Sequence, residues 1–188
     1  MPSDDGPLDV ETVYRAHAHC VARWAARLAG PAIDIEDLVQ EVFLTVQREL
    51  HTFRGDARLT TWLFRITENV VRHRRRKDRV RRWLKGTAAE VAGQLPSPRP
   101  TPLETLEQRQ ASQLVYRVLD GLPEKYRTVL VLFELEELGG EQIAALLGLK
   151  LATVWVQLHR ARARFLSRLE ELEANGAPAS RPLRETIA

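Results

Sequence analysis

Asp37 and Glu41 stand four residues apart, a spacing that puts two carboxylates on one face of a helix, where they could share a divalent cation. Metal-assisted hydrolysis would need a third carboxylate or a histidine beside them. None follows at a suitable spacing, so the pair is read as a charged face. His17, His19 and Cys20 are the other candidate ligands. Their spacings of two and three do not converge well on a helix, and no fourth ligand is evident. The sequence is therefore expected to hold no catalytic site, no metal and no cofactor. What remains is recognition chemistry. The stretch from Arg72 to Lys85 is densely basic, and Arg160, Arg162, Arg164 and Arg168 recur along a later segment. Arginines clustered beside apolar periodicity suit a phosphate-binding surface.

These groups must be held by helices, because nearly every segment has helical spacing. Val10, Val13, Tyr14, Val21, Trp24 and Leu28 mark a helix over about 8–29, closed by Gly30-Pro31. Asp34 is placed to cap a second helix reaching about Leu50. A loop runs from Phe53 to Arg58, and a third helix leads from about Thr60 into the basic run. Between Gly86 and Pro102 the composition turns to Gly, Ala and Pro, which cannot be helical throughout. A semi-extended linker over 86–104 is expected there. A helix to about Leu119 opens a second module. Gly121 breaks it, and Pro123 starts a helix reaching about Glu137. Gly139-Gly140 interrupts again, and two helices flank Gly148. The tail 175–188 is Pro- and Ala-rich and expected to be disordered. The fold class is all-α: two small helical domains, 8–85 and 105–174, joined by the Pro-rich linker.

The helix faces sharpen the functional reading. On the second helix Ile35, Val39, Val42, Phe43, Val46 and Leu50 share one side. Asp37, Gln40, Glu41, Leu44 and Arg48 share the other, where Leu44 stands as an apolar anchor in a protein-docking face. The third helix combines Trp62, read as core, with Phe64, Asn69, Arg72, His73, Arg74, Arg75 and Arg76. Aromatics beside dense arginine suit melted DNA, where bases stack and phosphates pair with cations. Asn69 carries both donor and acceptor for the edge of a flipped base.

Glu141 to Leu147, the turn Gly148-Leu149-Lys150 and the helix from Leu151 have the pattern of a helix-turn-helix. Val154, Leu158, Ala161 and Phe165 form its buried stripe. The opposite face carries Ala152, Val156, His159, Arg160 and Ala163, with Trp155 on the flank. Arg160 can reach a guanine or a phosphate, while Arg162 and Arg164 are expected to hold the backbone. Val156 is apolar at the centre of this face, which suits contact with a thymine methyl.

The chain has 188 residues and 28 basic against 25 acidic side chains, a net charge of +3. That length allows two small cores. The lone Cys20 excludes a disulfide framework and fits a reducing cytoplasm. MPSDDGPLDV is too acidic for a signal peptide, and no apolar run reaches the roughly 20 residues of a membrane span, so no membrane insertion is expected.

Several of these stretches resemble a known family. Asp34 to Phe43, Phe53-Arg54-Gly55-Asp56, Thr61 to Ile66 and Asn69 are similar to sigma region two of extracytoplasmic-function (ECF) sigma factors. Leu122 to Arg127, Glu141 to Ala144, Leu147-Gly148, Thr153-Val154 and Leu158 to Arg162 are similar to region four. The likeness covers about residues 8–172. It implies a promoter-specificity subunit of RNA polymerase, without catalysis of its own. Asp37, Gln40, Glu41, Leu44 and Arg48 would dock on the clamp helices of the largest polymerase subunit, with the polymerase flap as a second contact. Phe53, Arg54, Asp56, Arg58, Phe64, Asn69, Arg72, His73, Arg75 and Arg76 would meet the minus-ten element. Thr153, Trp155, Val156, His159, Arg160, Arg162 and Arg164 would meet the minus-thirty-five element. An anti-sigma factor is the implied regulator, and no further C-terminal domain is expected. The sequence departs from the family at Trp155, Val156 and Gln157, where basic or polar groups are usual.

Two other readings stay open on sequence alone. A free-standing helix-turn-helix regulator would bind duplex sites by itself, usually as a dimer. It has no use for the constellation from Asp34 to Asn69. A metal-dependent nuclease lacks an adequate ligand set.

Overall fold

The computed structural model describes residues 9–84 and 106–174. The expected linker over 86–104 and tail over 175–188 lie outside the described residues. The chain divides into two compact units, Met1–Pro98 and Arg99–Ala188.

The first unit is a three-helix bundle of α1 (Val10–Ala29), α2 (Ile35–Glu49) and α3 (Leu59–Leu84). Each helix begins or ends where its residues dictate. Asp9 caps α1 by accepting from the Thr12 N–H at 2.7 Å. That bond is the main cause holding the Asp9 carboxyl below its ordinary value. Gly30 closes α1 at φ 83, with its N–H donating to the Ala26 carbonyl. Asp34 caps α2 through the Glu36 and Asp37 N–H groups. A 3₁₀ turn, Leu50–Thr52, leads into the loop before α3.

All three helices pack on one another around Val13, Val21, Trp24, Leu38, Val42, Val46, Leu63, Phe64 and Val71. Edge-to-face ring pairs tie α1 to its neighbours: Tyr14 to Phe43 at 4.7 Å and Trp24 to Phe64 at 5.2 Å. The Thr67 hydroxyl is buried but satisfied, donating to the Leu63 carbonyl at 2.8 Å. The buried stripe of α2 is rotated from the expected one. Leu38 is fully buried, while Ile35 and Val39 are half-exposed. The stripe is centred on Leu38, Val42 and Val46 because α1 and α3 both press on that side.

The second unit holds α4 (Leu106–Asp120), α5 (Glu124–Leu130), α6 (Gly140–Leu147) and α7 (Leu151–Ala174). α7 is its spine and packs against the other three. Pro123 caps α5 rather than lying inside it. The helix does not continue to Glu137 in α form. After Leu130 it widens into a π turn, Val131–Leu135, in which the Glu136 N–H donates to Val131 and the Leu138 N–H to Leu132. This widening keeps Val131 and Leu132 in the core and turns Phe133 and Glu134 toward α7. Gly140, expected to break the chain, is the buried first residue of α6. Arg127 is entirely buried, donates to Asp120 at 3.1 Å and lies 5.9 Å from the Tyr116 ring. It joins the end of α4 to α5.

Candidate nucleic-acid and partner interfaces

The outer face of α2 presents Asp37, Gln40, Leu44 and Arg48 to solvent, with Glu41 half-exposed. Leu44 is 53 % exposed and borders a trough lined by Tyr14, Ile35, Val39 and Phe43. Such an apolar side chain among charges is suited to burial against a partner. Arg48 is folded back on its own helix, donating to the Leu44 carbonyl and the Thr45 hydroxyl, both at 3.2 Å. The carboxylates are met by α3: the Arg74 guanidinium lies 3.4 Å from Asp37 and 3.7 Å from Glu41. No local sequence pattern pairs residues this far apart, so only the helix packing exposes the link.

Along α3, Asn69, Arg72, His73 and Arg76 are exposed and line a hollow of about 530 Å³ with Glu41 and Val70. Arg72 donates to the Asn69 side-chain carbonyl, which orients that amide. Two residues expected on this surface lie elsewhere. Phe64 is 0 % exposed, its ring against Trp24, and Arg75 is 6 % exposed and engaged within the unit. Phe64, Val71 and Arg75 follow the spacing i, i+7, i+11 and so share the core stripe. That spacing was legible, but the surrounding arginines masked it. The loop before α3 exposes Arg54, Asp56 and Arg58 around Gly55, whose φ of 77 suits glycine. Phe53 is half-buried against Trp62, ring centres 5.4 Å apart, and anchors the loop's root.

In the second unit, Gly148 closes α6 in the left-handed conformation at φ 65, ψ 36. The Leu149 N–H donates to the Ala144 carbonyl, and α7 begins two residues later. This is the helix-turn-helix expected from the spacing. Val154, Leu158, Ala161 and Phe165 are buried. Ala152, Trp155, Val156, His159, Arg160 and Arg164 are exposed, and Thr153 is half-exposed.

Arg160, Arg162 and Arg164, three of the four arginines of α7, differ. Arg160 hydrogen-bonds the Tyr126 hydroxyl, which is the main cause holding that phenol below its ordinary value. The charges of Lys125, Arg160 and Arg164 add to the effect, and Arg164 stands 5.1 Å from the Tyr126 ring centre. Arg162 is tied to Glu134 at 2.7 Å and lies 5.2 Å over the Phe133 ring. It was expected to grip DNA backbone; the turn that delivers Glu134 engages it inside the unit instead. Among the described residues no group of three or more His, Cys, Asp or Glu side chains converges, and no helix is long and apolar enough to cross a membrane.

Residues 13–87 match the family model for Sigma-70 region 2, and residues 112–165 that for Sigma-70, region 4. The chain belongs to the sigma-70 family, as an ECF sigma factor. It is 31 % identical over 162 residues to the ECF RNA polymerase sigma-E factor of Escherichia coli K12, covering 83 % of this chain and 84 % of that protein. It is 35 % identical over 163 residues to the ECF RNA polymerase sigma factor SigE of Mycolicibacterium smegmatis. That match covers 86 % of this chain but 60 % of the longer relative. Two solved structures share the fold. One is the sigma factor RpoE in complex with the anti-sigma factor NepR from Bartonella quintana, at TM-score 0.57, 22 % identity and coverage of 85 % of this chain and 96 % of that one. The other is CnrH in complex with the cytosolic domain of CnrY, at TM-score 0.54, 24 % identity and 89 % of each chain. The α2 face, the loop and the α3 hollow of this ECF sigma factor fall in region 2. Its helix-turn-helix falls in region 4.

Proposed function

We propose that this sigma factor binds core RNA polymerase and directs it to promoters, recognising and opening them for transcription initiation. The observation that carries the reading is in the first unit. A docking face with an exposed apolar anchor, Leu44, lies on the helix whose Glu41 also borders the exposed basic hollow on α3. One module thus offers a protein surface beside a surface for melted DNA.

Asp37, Gln40, Glu41 and Leu44 dock on the clamp helices, and Arg48 braces the end of that face. Arg54, Asp56, Arg58, Asn69, Arg72, His73 and Arg76 meet the minus-ten strand, with Phe53 anchoring their loop. Thr153, Trp155, Val156, His159, Arg160 and Arg164 meet the minus-thirty-five duplex. Residues 8–85 and 105–174 act as the two recognition modules, with 86–104 as the tether between them and the polymerase flap as a second contact. The chain performs no bond chemistry; that belongs to the polymerase. It works in the cytoplasm, where its polymerase partner is. An anti-sigma factor restrains it, as the complexes of its structural relatives suggest.

Mixing the purified chain with sigma-free core polymerase and genomic DNA tests the reading. Discrete new transcript starts sharing two upstream motifs are the expected result. Absence of initiation and of association with core, together with tight duplex binding by the chain alone, would instead identify a free-standing regulator.

A further inference from the structure

Large apolar side chains left exposed are few among the described residues, and three of them, Leu151, Trp155 and Val156, fall in the first two turns of α7, at 38, 47 and 50 % exposure. Isolated exposed apolar residues need no explanation, but a cluster at the start of a recognition helix does.

The cluster is built into the fold. The Trp155 indole meets the Phe133 ring edge-on, centres 5.8 Å apart. Its benzene edge lies over Gly140, where an added Cβ would stand 2.6 Å from Trp155 Cζ2. The missing side chain at Gly140 makes room for the ring, and the π turn brings Phe133 to it. Beside Trp155, Arg162 is neutralised by Glu134. On the opposite flank Arg160 and Arg164 are held by Tyr126 and remain exposed. The N-terminal part of α7 therefore offers an uncharged apolar surface bordered on one side by two organised cations.

Resting on the assignment of this unit to the minus-thirty-five duplex, we infer that Trp155 and Val156 read that element through thymine C5-methyl groups, while Arg160 and Arg164 hold the adjacent phosphates. The thymine methyl is the one apolar group that base edges present in the major groove. Thymine sets this methyl beside its O4 acceptor, whereas adenine and guanine edges and the cytosine amino group offer polar atoms without a methyl, and burying those against an indole or isopropyl group strips them of water without return. The surface thus favours thymine and disfavours adenine, guanine and cytosine at the same positions. Charge complementarity singles out DNA as the occupant, since the cations flank the apolar patch as phosphates flank the methyl-lined groove.

The test uses holoenzyme formed from the full chain and core polymerase, on a promoter selected from a randomised library. Each thymidine of the minus-thirty-five element is replaced in turn by deoxyuridine, which removes the methyl and leaves every hydrogen-bonding group in place. Loss of one buried methyl lowers affinity about fourfold. The expected result is one to three positions with that loss in competition binding, and no loss at those positions for Val156→Ser or Trp155→Ala holoenzyme. Because deoxyuridine alters the DNA, the loss read with the unaltered chain does not depend on a variant folding. Equal affinity at every deoxyuridine position, or a selected element without thymine facing α7, overturns the methyl inference while initiation from that promoter leaves the sigma reading standing. Failure to initiate at any promoter removes both. If the promoter is insensitive to deoxyuridine and Trp155→Ala weakens binding to core polymerase, the patch is a protein-docking surface and the inference is wrong.

Discussion

The two units handle charge in opposite ways. In the first, the working charges stay exposed and loosely paired. Arg74 meets Asp37 and Glu41 at 3.4 and 3.7 Å in partly solvated ion pairs. In the second, arginines are fastened to aromatic rings and acids of their own unit: Arg127 to Asp120 and Tyr116, Arg162 to Glu134 and Phe133, and Arg164 to Tyr126. Loose pairs exchange partners at little cost, because exposed ion pairs contribute at most about 1 kcal/mol. That suits the role proposed for this module, accepting a polymerase surface and a melted strand. Arg127 and Arg162 are engaged in the unit's own packing, while Arg164 stays exposed, and a cation set in place before binding suits a rigid duplex whose phosphates lie at fixed spacing.

The strongest way to break this comparison is to show that the fold of the first unit does not rest on its apolar core. Phe64→Ala should cost about 3–5 kcal/mol in denaturant unfolding of the first unit, as expected for a buried aromatic. Phe64→Leu should lose much less and still open promoters with core polymerase. Failure to open them with a folded bundle would return Phe64 to the DNA-binding set.

In the second unit, Arg127→Ala should destabilise by about 3 kcal/mol through lost packing and a lost pair with Asp120. Arg127→Met keeps most of the volume and should recover more than half of that loss. Hydrogen exchange on α5 and α7 amides would report both, and α1 to α3 should be unaffected.

Arg74→Ala should change unfolding by less than about 1 kcal/mol, with the difference fading at high salt. The same variant should not weaken core-polymerase binding, because it uncovers Asp37 and Glu41. Gln40→Ala with Glu41→Ala should weaken that binding while leaving thermal unfolding unchanged. Unaltered polymerase affinity in the double variant would remove the α2 docking face.

The smallest effect concerns Tyr126. Its phenol is held below its ordinary value first by the Arg160 hydrogen bond, so the folded unit releases this proton at lower pH than the unfolded chain. Below the lowered folded value both states keep the proton, and nothing is contributed at neutral pH. Between that value and 10.0 only the folded state has lost it, so stability rises with pH in that window. In Tyr126→Phe this alkaline rise should be absent from unfolding curves taken across the window. An identical slope in both proteins would place the Arg160 contact outside the stabilising interactions.

Much was legible in the amino-acid pattern because it rests on local rules. Asp34 caps its helix, Gly148 adopts the left-handed conformation and Val154, Leu158, Ala161 and Phe165 share a face for reasons contained within a few neighbouring residues. Helix ends moved by a residue or two, as at Gly140, without altering the arrangement. Arg75 and Phe64 have side chains suited to DNA, but the stripe they share with Val71 buries both. The π turn left no such trace: Val131 to Leu135 reads as ordinary helix, and the widening follows from packing Val131 and Leu132 while directing Phe133 to α7.

The sequence by itself determined the helices, the helix-turn-helix and which segments carry acid, base and apolar anchors, since periodicity and capping act over one or two turns. Only the tertiary structure decided which arginines remain available. Arg74 finds an acid 37 residues away and Arg162 finds one 28 away, while Arg160 and Arg164 share a tyrosine on another helix. A long, flexible cation takes whichever carboxylate or ring the packing brings within reach, and that proximity is a property of helices already assembled.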